Sequence, residues 1–226
     1  MPAATRPRAH KRGFDLELAR AHLGKRDRQL QRWMNRIGPL DVHWRKPWEP
    51  VDALARSIVF QQLSGKAAAT IVGRVEQLVP GRRKLTAESL AALTPDQLRA
   101  CGVSGNKQRA LHDLAEKSLA GVVPTAAEMR FLDNEEIIAR LTEVRGIGRW
   151  TVEMILMFRL GRPDVLPVDD LGVRRGAQIL RGYEEMPKPR ELAELGERWG
   201  PYRTLASLYL WRVVEHATRK TQVAPA

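Results

Sequence analysis

Apolar residues recur at helical spacing along almost the whole chain, and glycines and prolines interrupt them at intervals. Leu16, Leu18, Ala19 and Leu23 begin the pattern, with Gly24 as its expected stop. Leu30, Trp33, Met34 and Ile37 continue it up to Gly38 and Pro39. A linker holding Trp44, Pro47, Trp48 and Pro50 follows. Val51, Leu54, Ala55, Ile58, Val59 and Leu63 then share one helical face, and residues 67–79 give a further helix before Pro80 and Gly81. Thr94, Pro95 and Gln97 form a helix start, because threonine caps, proline suits the first turn and glutamine three residues on completes a capping box. Residues 104–120 read as a long helix ended by Gly121, and Asp133 with Glu136 marks another capped start. A helix after Asp170 is expected to reach Arg181 and stop at Gly182, with two more beginning near Pro189 and Pro201. No pair of alternating segments reads as strands, so the expected class is all-α, with about a dozen helices.

Composition narrows the function. The 226 residues carry a net charge of +12, and 43% are hydrophobic. That much apolar content builds a core and excludes global disorder. The positive balance points to an acidic polymer, nucleic acid above all. Cys101 is the single cysteine, which excludes an internal disulfide and a four-cysteine metal or iron–sulfur site within this chain. The histidines stand at positions 10, 22, 43, 112 and 216 without metal-ligand spacing. No apolar run is long enough for a membrane span, and no apolar signal core opens the chain. An intracellular setting is expected, in a cytoplasm with its nucleoid or in a nucleus, with no membrane partner. Residues 1–13 include Arg6, Arg8, Lys11 and Arg12 and no acid, and are expected to form a flexible basic tail.

Residues 141–175 carry the chemistry. Gly146 and Gly148 flank Ile147 between two helical patterns, the second starting near Arg149. Glycine tolerates positive φ and lets another backbone come close. A helix that begins at such a turn points free N–H groups outward, and those attract phosphate. Ile147 is expected to pack inward. The plainer reading of Gly-x-Gly is an ordinary tight turn. Downstream, Asp169 and Asp170 stand at the mouth of the next helix. Acids there meet the positive end of the helix dipole. Capping is the structural alternative for both.

These stretches together resemble the helix-hairpin-helix (HhH-GPD) DNA glycosylase superfamily, within it the DNA-3-methyladenine glycosylase II, or alkylpurine glycosylase, branch. The match is carried by residues 51–78 with Gln61, Gln62, Leu63 and Ser64, by residues 98–121 with Ser104 and Lys107, by the hairpin and its aspartate loop, and by residues 198–211 with Trp199, Tyr202 and Trp211. They cover roughly residues 50–215 in one collinear order, which is far more specific than any one motif. The resemblance implies two helical lobes with an active-site cleft between them. Lobe one is expected at about 50–165, and lobe two at about 14–49 plus 166–226, together a glycosylase domain over 14–226.

The resemblance also assigns roles. The family's acid is followed by apolar, any, apolar and basic residues; Asp170, Leu171, Gly172, Val173 and Arg174 meet that pattern. Asp170 is therefore the favoured catalytic acid and Asp169 the alternative. Such a carboxylate stabilises an oxocarbenium-like sugar and orients water while the N-glycosidic bond breaks. Relatives that also cut the backbone carry a lysine where this chain has Trp150, so water-using, monofunctional chemistry is implied. Trp150 and Trp211 match base-pocket tryptophans, whose faces attract a cationic alkylated base by about 0.5–2 kcal/mol. Trp211 reads equally well as a core aromatic. Gln62 or Leu63 is implied as the wedge that fills the vacated stack, and Leu63 also reads as ordinary core. Ser104, Lys107 and Arg149 are candidate phosphate contacts beside the amides of Gly146, Ile147 and Gly148. The family's hairpin often holds Na+ or K+ through backbone carbonyls, here those of Thr142, Val144 and Gly146; no other cofactor is implied.

The expected function is excision of alkylated purines by base flipping in base excision repair. The expected substrate is 3-methyladenine, with 7-methylguanine and ethenoadenine beside it, in double-stranded DNA, by a monomer. A non-catalytic helix-hairpin-helix DNA-binding protein and a glycosylase for other damaged bases are the alternatives.

Overall fold

In a computed structural model the structure describes residues 9–44, 47–79 and 84–223, with side chains to residue 218. Among the described residues there is no strand, and no helix is long and apolar enough to cross a membrane. The elements are α1 (Leu16–Arg26), α2 (Arg28–Ile37), α3 (Pro50–Phe60), α4 (Gly65–Gln77), α5 (Ala87–Ala92), α6 (Pro95–Ala100), α7 (Gly105–Leu119), α8 (Asn134–Thr142), α9 (Arg149–Phe158), α10 (Leu171–Arg181), α11 (Pro189–Gly196) and α12 (Arg203–Val223), with short 3-10 turns at Glu128–Arg130 and Glu197–Trp199. The all-α expectation holds.

The chain divides into two compact units. Unit 1 contains Met1–His10 and Lys46–Val152; unit 2 contains Lys11–Arg45 and Glu153–Ala226. The division falls inside α9. Residues 153–165, expected with the first lobe, therefore belong to unit 2.

In unit 1, α7 is the central helix, packed by α3, α5 and α6. Leu54, Ile58, Leu90, Leu98, Leu111 and Leu114 are fully buried there. Local chemistry sets the helix starts. Thr94 accepts the Gln97 N–H at 3.2 Å, while the Gln97 side chain accepts the Thr94 N–H at 2.8 Å. Asp133 and Glu136 repeat the exchange at 2.8 and 2.7 Å and start α8. Each cap is worth about 0.5–2 kcal/mol. Leu63 was expected to continue the face of α3, but the helix ends at Phe60, and Leu63 lies 40% exposed in the loop beyond. The proposed stop of α4 at Pro80 and Gly81 lies outside the described residues.

In unit 2, α12 packs on α10, and α2 and α1 pack beside it. The α10 and α12 backbones approach closely at Gly176, where a Cβ would lie 2.3 Å from the Leu210 carbonyl oxygen. Gly24 does not stop α1. It sits buried inside the helix with the Gln31 side chain against it, and the break comes at Asp27. Asp27 has extended backbone and accepts the N–H groups of Gln29 and Leu30 at 3.2 and 3.1 Å, so it ends α1 and caps α2. Its other oxygen takes the Trp199 indole N–H at 2.9 Å and the Arg181 guanidinium. A buried carboxylate needs such partners, because desolvation without them is costly.

The tail expectation fails for its last residues. Arg12 donates to the Arg159 carbonyl at 2.7 Å, and Gly13 packs against Trp44 and Gly161 in unit 2. In unit 1, the His10 N–H donates to the Arg130 carbonyl at 2.6 Å. Arg6 and Arg8 lie outside the described residues.

Candidate functional site

In unit 1 the hairpin joins α8 to α9. Ile147 is buried at 4% exposure, and its N–H closes the turn on the Val144 carbonyl at 3.0 Å. Gly146 has φ +79°, where an L side chain is strained. Gly148 differs from the expectation of positive φ: its backbone is ordinary, it is exposed, and a Cβ there would meet nothing within 4 Å. The turn thus needs glycine at position 146, while position 148 is open to whatever approaches the start of α9.

Arg149 opens α9 and was expected to reach phosphate. Instead its guanidinium makes a bidentate pair with Glu135 at 2.9 and 2.5 Å. That pair pulls the Glu135 carboxyl below the usual carboxylate range, chiefly through the hydrogen bond. Trp150 follows on the first turn of α9 and is 48% exposed, which is unusual for so large an aromatic inside a helix.

The α3–α4 loop lies in the same unit. Gln62 has φ +57°, the one non-glycine residue in that region among those described, and both Gln62 and Leu63 face solvent. Leu63 is therefore not core. Ser64 caps α4 through the Ala67 N–H at 3.3 Å. Lys107, proposed for phosphate, spends its ammonium elsewhere: it donates to the carbonyls of Val59 and Gln61 at 2.8 and 2.7 Å, at the end of α3. Burial lowers its pKa. It braces the junction of α3 and the α3–α4 loop. Gln61 in turn donates its side-chain N–H to the Gly146 carbonyl at 2.8 Å, tying that loop to the hairpin. Ser104 is the N-cap residue of α7 and is exposed, with no side-chain capping bond.

In unit 2 the candidate acid comes from the loop at residues 161–170. Fully buried Thr204 holds this loop: its hydroxyl donates to the Arg162 carbonyl at 2.6 Å and accepts the Val165 N–H at 3.1 Å. Asp170 is the N-cap of α10, and Asp169 is its exposed neighbour, so the cap falls on the residue favoured for chemistry. Asp170 is buried. Its Oδ1 accepts the Val173 N–H at 2.7 Å and the Trp211 indole N–H at 2.8 Å. The Trp211 ring stacks on Phe158 with centroids 5.8 Å apart and 19° between planes. Gly172 completes the arrangement, since a Cβ there would lie 2.7 Å from Trp211 Cδ1, 2.8 Å from its Nε1 and 3.1 Å from Asp170 Oδ1.

The sequence gives no role to Glu135, Phe158 or Thr204, and it presents Gln61 and Gly172 only as members of a motif, without the contacts they make. Only Gly172 carries a local signal: glycine in the first turn of a helix costs about 1 kcal/mol against alanine, so its presence asks for a steric reason.

A helical chain with an exposed hairpin turn and a buried, indole-clamped aspartate at a helix start defines the class: a helix-hairpin-helix protein built to act on DNA. The chain belongs to the HhH-GPD superfamily of base excision DNA repair proteins, whose pattern matches residues 55–201. It is 37% identical over 213 residues to DNA-3-methyladenine glycosylase 1 of Schizosaccharomyces pombe, covering 93% of this chain and 92% of that protein. It is 30% identical over 164 residues to DNA-3-methyladenine glycosylase 2 of Escherichia coli, covering 69% of this chain and 55% of that one. Among solved structures, S. pombe 3-methyladenine DNA glycosylase in complex with abasic DNA gives a TM-score of 0.76 at 36% identity, covering 86% of this chain and 95% of that one. The DNA-3-methyladenine glycosidase of Bacillus halodurans gives 0.82 at 37%, covering 89% and 91%.

Proposed function

We propose that this chain is a monofunctional DNA glycosylase that hydrolyses the N-glycosidic bond of alkylated purines in double-stranded DNA, acting as a monomer in base excision repair. The observation that carries the reading is Asp170, a buried carboxylate whose Oδ1 is fixed by an amide and an indole N–H. A fixed carboxylate stabilises the positive charge that develops on the sugar and guides water to C1′. The alkylated purine leaves with the bonding electrons. An N3- or N7-alkylated base already carries positive charge, so it departs without a strong general acid. Trp150, exposed at the first turn of α9, offers an electron-rich face for such a base. The turn supplies phosphate contacts through the backbone N–H groups of its exposed glycines, Gly146 and Gly148, whereas the Ile147 N–H expected beside them is taken by the Val144 carbonyl. The names of the relatives support 3-methyladenine as substrate, with 7-methylguanine and ethenoadenine as further candidates.

A capping aspartate makes the same bond to Val173 whether or not it has chemistry to perform, which keeps the non-catalytic reading in contention. Base release decides between them. Duplexes each carrying one defined lesion are incubated with the protein, and free base and strand integrity are read separately. The proposal expects free 3-methyladenine, an intact abasic strand and no borohydride-trapped protein–DNA adduct. Binding without release supports the non-catalytic reading. A trapped adduct contradicts the monofunctional assignment, because Trp150 offers no amine.

A further inference from the structure

The hairpin carries a positive charge of its own. Lys117, near the end of α7, donates its ammonium to the Glu143 carbonyl, the residue that follows α8. Asp113 fixes that ammonium from one turn back, at 3.2 Å. The same carboxylate oxygen accepts the Arg145 N–H at 2.6 Å, so one aspartate aligns both the lysine and the hairpin backbone. Both side chains are about three-quarters buried, at 28% and 26% exposure. An ammonium on carbonyls at a helix C-terminus also meets the negative end of the helix dipole.

This arrangement does not fit a bound monovalent cation at the carbonyls of Thr142, Val144 and Gly146. The Val144 carbonyl accepts the Ile147 N–H at 3.0 Å, and the Gly146 carbonyl accepts the Gln61 side-chain N–H at 2.8 Å. Lys117 stands on the carbonyl of Glu143, between Thr142 and Val144 in the chain, so a second cation at the neighbouring carbonyls meets the repulsion of an ammonium already in place.

We infer that Lys117 is the built-in cation of this hairpin, and that the turn holds its phosphate-binding shape without Na+ or K+. The inference rests on the reading that the hairpin binds phosphate. A tethered ammonium has no dissociation equilibrium, so the identity of the dissolved cation has no hold on the turn.

The test is duplex affinity in KCl, NaCl and tetramethylammonium chloride at equal ionic strength. Tetramethylammonium is too bulky to sit among carbonyls. Thermal midpoints are read in the same three salts. The parent protein is expected to bind intact and abasic duplexes equally in all three, within about twofold, since counterion release depends on charge count rather than on a specific site. Lys117→Met should bind both duplexes about fivefold or more weakly, and Lys117→Arg should recover part of the loss. A parent affinity or midpoint that falls markedly only in tetramethylammonium overturns the inference. So does a folded Lys117→Met that binds like the parent. If Lys117→Met does not fold, the parent's salt series decides alone. A parent that binds no duplex in any salt overturns the phosphate reading instead, and the midpoints still decide for or against Lys117.

Discussion

The indole N–H of Trp211 donates to Oδ1 of Asp170 at 2.8 Å, and that oxygen also accepts the first-turn N–H of Val173 at 2.7 Å. Two donors from different helices therefore fix one carboxylate. Trp211 acts on Asp170 through its edge, while Phe158 stacks on its ring. On the proposed chemistry, Trp211 is a positioning residue for Asp170.

Trp211→Phe keeps an aromatic ring and deletes the donor. A hydrogen bond to a charged group is worth about 1.5–3 kcal/mol. Single-turnover base excision should fall about 10- to 100-fold, with duplex affinity and thermal midpoint nearly unchanged. The pairing also predicts coupling: in an Asp170→Asn background the further loss from Trp211→Phe should largely vanish. Full additivity would mean the two side chains act separately.

Gly172→Ala should behave against the usual trend. Alanine in a helix gains about 1 kcal/mol over glycine. Here its Cβ would come within 2.7 Å of the Trp211 ring. Excision should drop about tenfold or more, by the same loss of donor geometry, and the midpoint should not rise. A more stable, fully active variant would show that the indole can move without consequence.

The capped starts at Thr94 and Asp133 were legible in the sequence because each is local: a side chain and a backbone N–H within three residues of each other. The stop at Gly182 was legible because glycine takes the left-handed conformation that ends a helix. Asp169 and Asp170 both suited the cap of α10 on type, and the structure gives it to Asp170. What was not legible depends on partners far along the chain. Nothing near Arg149 announces Glu135, and nothing near Lys107 announces the carbonyls of Val59 and Gln61. Both cations read as free to meet phosphate, and both are engaged within unit 1. Gly24 misled for a related reason: its small size serves the contact with Gln31, while the polar side chain of Asp27 sets the helix boundary.

Glu135 engages the Arg149 guanidinium in a bidentate pair. Glu135→Gln should release it, so affinity for intact and damaged duplex should rise together, and the salt slope should steepen by about one unit. Acid should act in the same direction. The folded-state pKa of Glu135 is depressed, so the pair is present above the ordinary carboxylate range, and it is lost as pH falls through the folded value. Both partners are about half exposed or more, so the stability at stake is small. Affinity measured across pH should show a rise in the parent only below the ordinary carboxylate range, and the Glu135→Gln variant should lack it. An unchanged salt slope in Glu135→Gln would mean that Arg149 meets no phosphate.

The hairpin glycines should separate fold from binding. Gly146→Leu forces a side chain into the left-handed region, at a cost of about 1–2 kcal/mol, and should lower the midpoint. Gly148→Leu has open space, so it should keep helicity and midpoint while weakening intact and damaged duplex alike. If Gly148→Leu binds both duplexes as the parent does, the hairpin is only a turn.

The most direct measurement is single-turnover release of 3-methyladenine from a defined duplex by the parent, Asp170→Asn and Asp169→Asn. Asparagine can still cap α10 and still accept the Trp211 N–H through its carbonyl oxygen, so the substitution isolates the carboxylate charge. The account predicts that Asp170→Asn keeps its fold and its duplex affinity and loses excision by about two to four orders of magnitude. Exposed Asp169 should give a mild effect. Full activity in Asp170→Asn, with the loss appearing in Asp169→Asn or in neither, would contradict it.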